Sequence, residues 1–308
     1  MDEESMRYPA KVPAFAILLL LGLTACGASA PAQVGDLARY QLDAAPDWTA
    51  PLPDELHEIS GLAVGPGGRV FAHGDEAGRI YEIEPRSGKI VKSFALQPGD
   101  SAMDLGKKKS KNGEVTGDFE DLAIVDDRFY LVTSNGVILE FGEGENGAQV
   151  PFTAHQTGVG ETCEIEGLVS DAEAQTLLLV CKEMKSKGQR DRIEAFAWST
   201  DKRQVESGPR LTIPFNSLGL AGSKQFNASA VTFIPGTRSL ALVAGPQATF
   251  LEVGADGKPV AGGALDQTVL TQPEGMAFLP DETLLISTEG GKGQAMLAGY
   301  QAEPAGSQ

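Results

Sequence analysis

Basic residues are few. The chain of 308 residues carries 25 lysines and arginines against 42 aspartates and glutamates, a formal net charge of −17. Sequence-independent nucleic-acid binding sets Lys and Arg against phosphates, so no nucleic-acid partner is expected. Long apolar runs are also missing. Beyond residue 30 no stretch approaches the ~18 apolar residues of a membrane-spanning helix, and none shows the apolar period of a long amphipathic helix. The 37 glycines and 18 prolines fall short of the ~25–30% that marks a low-complexity chain. Histidine and cysteine are scarce, at three each. There is no Gly-x-Ser-x-Gly elbow, no His-Glu-x-x-His and no phosphate-binding Gly loop. What remains is 42% apolar, enough for a sizeable core.

The first residues read as a targeting segment. Arg7 and Lys11 flank a short apolar run from Val12 to Leu23, followed by Leu23-Thr24-Ala25-Cys26. That tetrapeptide resembles the bacterial lipobox. Thr24 and Ala25 are small enough for a signal peptidase, and the Cys26 thiol is the acceptor of a diacylglyceryl group. Acyl chains contribute ~0.8 kcal/mol per buried CH₂, so several chains anchor stably where one does not. The expected division is a lipoprotein signal peptide over 1–25, a tether over 26–37, one folded domain over 38–303 and a tail over 304–308. The alternatives are an ordinary secretory signal cut after Ala28-Ser29-Ala30, though Pro31 would then follow the cut, and a plain transmembrane anchor, for which the apolar run is short. Asp2-Glu3-Glu4 is acidic where a basic flank is expected, which makes Met6 a second candidate start. Gly27, rather than Asp, after the lipidated Cys favours the outer membrane, on the periplasmic side of the cell envelope.

The body is all-β and repetitive. Short apolar runs such as VFAHG, RIYEIE, FYLVTS, TLLLVC and TLLIST alternate with Gly, Asp and Asn turns, the pattern of a sandwich, barrel or propeller. An internal repeat decides among these. EISGLAV (58–64), DFEDLAI (118–124), EIEGLVS (164–170), NASAVTF (227–233) and QPEGMAF (272–278) share one pattern. Their third residues are Ser60, Glu120, Glu166, Ser229 and Glu274. The shorter intervals are near 45 residues, the length of a four-stranded blade. A five-bladed β-propeller follows. Blade 1 is expected at 58–64, 69–74, 79–84 and 89–96. The last repeat has room for three strands only, so an N-terminal strand at Arg39–Asp43 is expected to close the ring and remove an open edge. The fifth residues, Leu62, Leu122, Leu168, Val231 and Met276, should pack between blades. The fourth, mostly small, should leave room for them.

Together these motifs resemble the SdiA-regulated, YjiK-like family, related to NHL-repeat propellers. The matching stretches are Ser60-Gly61-Leu62, Asp118-Phe119-Glu120, Cys163-Glu164-Ile165-Glu166-Gly167-Leu168, Lys182-Glu183 and Gln272-Pro273-Glu274-Gly275. The resemblance runs over roughly residues 38–300. It implies a five-bladed propeller, an N-terminal membrane-targeting segment and a bound calcium, and it implies no particular activity. Blade 4 departs from the pattern at Asn227-Ala228-Ser229-Ala230.

The repeats also bring oxygen atoms to one mouth of the ring. The leading residues Glu58, Asp118, Glu164, Asn227 and Gln272, the third residues, and Asp75, Glu76, Glu183 and Glu289 after the second strands all carry side-chain oxygens. Buried carboxylates without compensation are costly and raise one another's pKa. A hard divalent cation removes both problems, and calcium accepts six to eight oxygens in flexible geometry. Calcium is therefore expected near Glu120, Glu166 and Glu274, with Glu58 as a further ligand. The alternative is that these carboxylates accept backbone N–H bonds or pair with Lys182. Two basic stretches, Lys107-Lys108-Lys109 with Lys111 and Lys182 through Arg192, border the same face, either as solvated loops or as an attraction for an anion. His57 and His73 fall on blade 1 at that face, and His155 lies in an outer connection. Cys163 and Cys181 flank the first hairpin of blade 3, either as a disulfide or as two buried thiols.

The leading expectation is thus a lipid-anchored, calcium-binding recognition module for a protein or small-molecule ligand, with no catalytic residues assigned. The alternative is a calcium-dependent hydrolase of a lactone or phosphoester, with His57, His73 or a mouth glutamate as base. A structural role in envelope assembly is a third reading.

Overall fold

Most strands form where a short apolar run is bounded by turn residues, and the strands assemble as five sheets, antiparallel except for one added edge strand, around one axis. A computed structural model describes residues 35–99, 105, 113–171, 173–217 and 225–304. The signal peptide, Cys26, most of the expected tether and the Lys107–Lys111 stretch lie outside the described residues. Helix is limited to short 3₁₀ turns among the described residues, none of them long and apolar enough to cross a membrane.

The chain is a five-bladed β-propeller. Blade 1 is Ile59–Val64, Val70–Gly74, Arg79–Glu84 and Lys89–Leu96, with Gln149–Val150 added in parallel at its outer edge. Blade 2 is Phe119–Val125, Arg128–Thr133, Val137–Gly142 and Phe152–Gln156. Blade 3 is Cys163–Asp171, Thr176–Met184 and Arg192–Ser199, whose last strand pairs with both Gln204–Val205 and Leu211–Pro214. Blade 4 is Ala230–Phe233, Leu240–Ala244, Thr249–Val253 and Pro259–Ala264. Blade 5 is Pro273–Phe278, Leu284–Thr288 and Met296–Tyr300, with Trp48–Pro51 as its outer strand.

That outer strand corrects one expectation. Arg39–Asp43 is not a strand: Asp36–Tyr40 is a 3₁₀ helix followed by a turn at Gln41, which has φ 44°. Its alternating Tyr40 and Leu42 are buried with Leu37 between blades 4 and 5, against Phe250, Leu265 and Tyr300. Leu37 N–H donates to the buried Glu252 carboxylate at 2.8 Å. Residues 35–37, expected to end the tether, are therefore part of the folded body. Trp48 takes the edge position instead, its indole lying so close over Gly299 that a Cβ there would stand 2.1 Å from Trp48 Cε2.

The core is divided by blade interface. Five apolar clusters each join two neighbouring blades. Between blades 1 and 2, Phe71 and Phe94 meet Phe129 edge-on, with ring centroids 5.0 and 5.8 Å apart. Fully burying one such side chain is worth about 1.5–3 kcal/mol, so the sheet-on-sheet faces dominate cohesion. Near the axis, Leu62, Leu122, Leu168, Val231 and Met276 form a buried apolar ring that lines a cavity of about 270 Å³ opening at the far end of the inner strands. Leu62 lies over Gly275 of blade 5 and Val231 over Gly167 of blade 3, each within 3 Å of a Cβ built on the glycine. The small fourth residue is thus what admits the neighbouring blade.

Candidate functional site

The inner strands begin at the opposite mouth, and there the third residues divide into two groups. Ser60 Oγ donates to the Phe119 carbonyl of blade 2 at 3.0 Å, and Ser229 Oγ to the Pro273 carbonyl of blade 5 at 2.6 Å. Both serines latch one blade to the next and offer nothing to the mouth. Asp121, at a fourth position, does the same between blades 2 and 3, accepting the Leu168 N–H at 2.7 Å and the Leu122 N–H at 2.8 Å. Burial holds its carboxyl well above the usual carboxylate range, against the pull of those two N–H groups.

Glu120, Glu166 and Glu274 remain, one each from blades 2, 3 and 5, and they form the electrostatic centre. Burial pushes Glu120 up to about 10, with the charges of Glu166 and Asp118 adding to the effect. Glu274 is pushed up to about 9 by burial first, then by Glu166 and Glu289. Glu166 is also raised by burial, while Lys182 pulls it back. Lys182 Nζ donates to Glu166 Oε1 at 2.7 Å and stands 3.6 Å from Glu164. Burial alone would lower this ammonium, but Glu166, Glu164 and Glu120 outweigh it and hold it above its ordinary value. Glu166 is buried, and the raised Glu120 carboxyl hydrogen-bonds it as well.

Glu58 is placed elsewhere. It is exposed on the rim of blade 1, beside a separate cavity of about 210 Å³ that His57, Asp75 and Arg79 also line. It adds to the rise of Glu289, which is raised by burial first and then by Asp75 and Glu58. Blade 4 contributes no acid, and its departure from the repeat is consumed internally: Asn227 exchanges hydrogen bonds with the Gln247 side chain through both its N–H and its Oδ1. Sequence reasoning passed over Gln247, since nothing near it repeats in the other blades.

The histidines do not form a pair. His73 is fully buried, its Nδ1 bonding the Gly74 carbonyl at 3.0 Å, and burial lowers it to about 4. His57 turns instead onto Gly290 of blade 5. His155 bonds the Glu140 carboxylate at 2.9 Å on the outer strand of blade 2. In the second basic stretch, Arg190 pairs with Glu183 at 2.9 Å and Lys185 donates to the Gly160 carbonyl, so much of that charge is already met. Cys163 and Cys181 are bonded to each other, with S–S 2.06 Å. They are not directly opposite: Cys163 faces Met184 and Cys181 faces Ile165, across a bulge at Glu164–Gly167.

Among the described residues, no three carboxylate, imidazole or thiol groups already stand close enough together to hold a metal ion. The donor chemistry nevertheless fits a hard cation. Three glutamates share a buried mouth with one ammonium, and Glu120 and Glu166 lie within hydrogen-bond reach of each other. A divalent cation would let Glu120 and Glu274 ionise without mutual repulsion.

Two cavities open beside this centre in the sector that blade 4 leaves without an acid. One of about 390 Å³ is lined by Lys182, Glu274, Gln267 and Gln272 among others; the second, of about 470 Å³, lies over the Gly290–Gly293 loop of blade 5. Thr271 and Gln272 line both.

Solved structures share this architecture. The chain superposes on glutaminyl cyclase from Myxococcus xanthus with a TM-score of 0.54 at 13% identity, covering 84% of this chain and 95% of that one. The PQQ-bound aldose sugar dehydrogenase of Streptomyces coelicolor gives 0.49 at 13% identity, over 84% and 100% of the two chains. Virginiamycin B lyase from Staphylococcus aureus gives 0.42 at 12% identity, over 83% and 69%. The chain matches no family model and no curated protein. At 13% identity the likeness to the glutaminyl cyclase reaches no further than the fold, and the five sheets themselves make this chain a five-bladed member of the β-propeller class.

Proposed function

We propose that the protein is a calcium-binding β-propeller of the bacterial cell envelope, a member of the SdiA-regulated, YjiK-like family, held by a lipid on Cys26 and recognising a ligand at its carboxylate mouth. One observation carries the reading. Glu120, Glu166 and Glu274 come from three blades to one buried mouth, Lys182 is the ammonium that meets them, and Glu120 and Glu166 stand close enough to share a hydrogen bond. Such an arrangement is costly without a further positive charge and is relieved by one. Glu120, Glu166 and Glu274 would hold the ion. The lipobox-like Leu23–Cys26 supports a position at the periplasmic side of the membrane, the outer one in a Gram-negative cell.

The test is calorimetric titration of chelator-treated full-length protein in detergent with calcium. One saturable site that is lost in Glu166→Gln supports the reading, and no heat of binding overturns it. A second reading, a calcium-dependent hydrolase of lactones or phosphoesters, is favoured by the Glu274 carboxyl lining an open cavity. Chelator-sensitive turnover that disappears in Glu120→Gln would establish it, and no turnover across ester, lactone and phosphate panels would exclude it.

A further inference from the structure

We infer that the two cavities beside the mouth form one ligand groove, and that its ligand is a short acidic oligosaccharide whose carboxylate sits at Lys292. The inference rests on the recognition-module reading and names its ligand class.

Continuity comes from Thr271 and Gln272, which line both cavities, so the groove runs from Glu274 and Lys182 to the Gly290–Gly293 loop. Volumes of about 390 and 470 Å³ lie within the ~300–1,000 Å³ range of small-molecule sites, and end to end they suit an elongated ligand rather than a lone ion. The lining chemistry selects the class. Gln267, Gln272, Gln294, Thr268 and Thr271 are uncharged; beyond the bonds that Gln272 and Gln294 make to Glu289 and the Leu52 carbonyl, the glutamine amides keep a second N–H and a carbonyl oxygen, while Thr268, whose hydroxyl donates to Asp266, offers an acceptor only, a mix that matches vicinal hydroxyls. Val269, Met296, Pro246 and Ala248 supply apolar patches between them, suited to the C–H faces of a sugar ring.

Charge sets the direction. At the inner end Glu274 faces the groove and Glu289 is tied to Gln272 Nε2 at 2.6 Å; with calcium bound, these two carboxylates together with Glu120 and Glu166 more than balance the ion and Lys182, so no net positive charge is left there to draw an anion and hydroxyls are preferred. At the outer end Lys292 is exposed on a Gly-Gly-Lys-Gly loop, and it makes no hydrogen bond or ion pair with any described residue. It is the one ammonium at that end of the groove. Lys182, by contrast, is already committed to Glu166.

The test uses full-length protein in detergent and a matched pair of disaccharides, cellobiuronic acid and cellobiose, which differ by one carboxylate. Calcium is first titrated alone, which reads the metal site independently of any sugar. Each disaccharide is then titrated into calcium-loaded protein, and into Lys292→Gln and Gln267→Ala. The expected result is binding of the acid at least tenfold tighter than cellobiose, an advantage lost in Lys292→Gln, and weaker binding of both sugars in Gln267→Ala. Both variants are at exposed positions and retain calcium binding. Equal affinity for the two sugars overturns the anionic class, and an unchanged Lys292→Gln overturns the placement. Calcium binding with neither sugar bound overturns the groove while leaving the metal reading intact. Failure of calcium and sugars alike overturns both.

Discussion

Lys182 Nζ stands 2.7 Å from Oε1 of Glu166, and the raised Glu120 carboxyl hydrogen-bonds the same carboxylate. The ammonium offsets the acidic mouth in the absence of a metal, and it competes with a metal for Glu166. Removing one partner of a buried pair leaves the other uncompensated and costs about 3–5 kcal/mol. Lys182→Met should therefore lower the stability of the calcium-free protein by roughly 3 kcal/mol. The same change removes a repelling charge from the cation site, so the calcium-induced rise in Tm should be larger in the variant. Thermal unfolding with and without calcium checks both signs; a smaller calcium effect in Lys182→Met would mean the lysine assists the site.

Glu274 gives a cleaner separation of scaffold from site. Its carboxyl is held protonated at neutral pH, pushed up to about 9 by burial, Glu166 and Glu289, so an amide is nearly isosteric with the form present without calcium. Glu274→Gln should leave calcium-free stability at pH 7 within about 1 kcal/mol of the parent while weakening calcium binding at least tenfold. At a calcium concentration of 100 Kd the parent gains about 2.7 kcal/mol by mass action, and the variant at the same concentration gains about 1.4. Chemical denaturation at fixed calcium reads the difference directly.

Much of this was legible before any coordinates. Blade 1, expected at 58–64, 69–74, 79–84 and 89–96, lies at Ile59–Val64, Val70–Gly74, Arg79–Glu84 and Lys89–Leu96, because period-two apolar runs end at Gly and Asp turns that no sheet interior accepts. The outer strand of blade 5 was not legible. Tyr40 and Leu42 alternate as strand residues do, yet a 3₁₀ turn buries both, and Pro51 argues against a strand unless the strand is known to be an edge. The three mouth glutamates could be grouped because the repeat puts them at one height. That Ser60 and Ser229 spend their hydroxyls on the next blade's carbonyls depends on the distance between blades, which spacing along the chain does not carry. The bond from the Leu168 N–H of blade 3 to Asp121 is hidden from the sequence for the same reason.

His73 makes stability pH-dependent in a stated direction. The fold holds it neutral, lowered to about 4 from 6.5 by burial, with Asp75 pulling weakly the other way. Above pH 6.5 the folded and unfolded states both carry a neutral imidazole. As pH falls from 6.5 toward 4 the unfolded chain takes up a proton that the folded one refuses, so stability is lost across that window. At ~1.4 kcal/mol per unit the loss approaches about 3 kcal/mol. The raised carboxyls of Glu120, Glu274 and Asp121 act in the opposite sense, so the difference between parent and His73→Leu isolates the imidazole. That difference should shrink steadily between pH 6.5 and 4, and a constant difference would show that His73 does not titrate.

Asp121 ties blade 2 to blade 3 through the Leu168 N–H. Asp121→Ala strands that buried donor and the Leu122 N–H together. Leaving a buried polar group unmet costs about 1–3 kcal/mol, so a loss of roughly 3 kcal/mol is expected in urea unfolding. Ser60→Ala, which removes one donor and leaves carbonyls that keep a second lone pair, should cost only about 1 kcal/mol. The ranking is the diagnostic feature, and a Ser60→Ala loss equal to that of Asp121→Ala would contradict the assignment of the acid as the stronger latch.

The Cys163–Cys181 bond closes a short loop, with a sequence separation of 18, and both cysteines are buried in the blade 2–blade 3 core. By the chain-entropy argument, a link of this length stabilises by about 3 kcal/mol through the unfolded state. Its position adds a local effect. The bonded residues bracket the bulge at Glu164–Gly167, and they precede Glu164 and Lys182 directly in sequence. The paired replacement Cys163→Ser with Cys181→Ser should therefore lower stability by roughly 3 kcal/mol and also weaken calcium binding severalfold, because Glu166 and Lys182 lose the staple that sets their strands in register. Measuring both separates the two contributions. Lost stability with unchanged calcium affinity would mean that the inter-blade packing of Leu168, Leu177 and Leu179 holds the register without the staple.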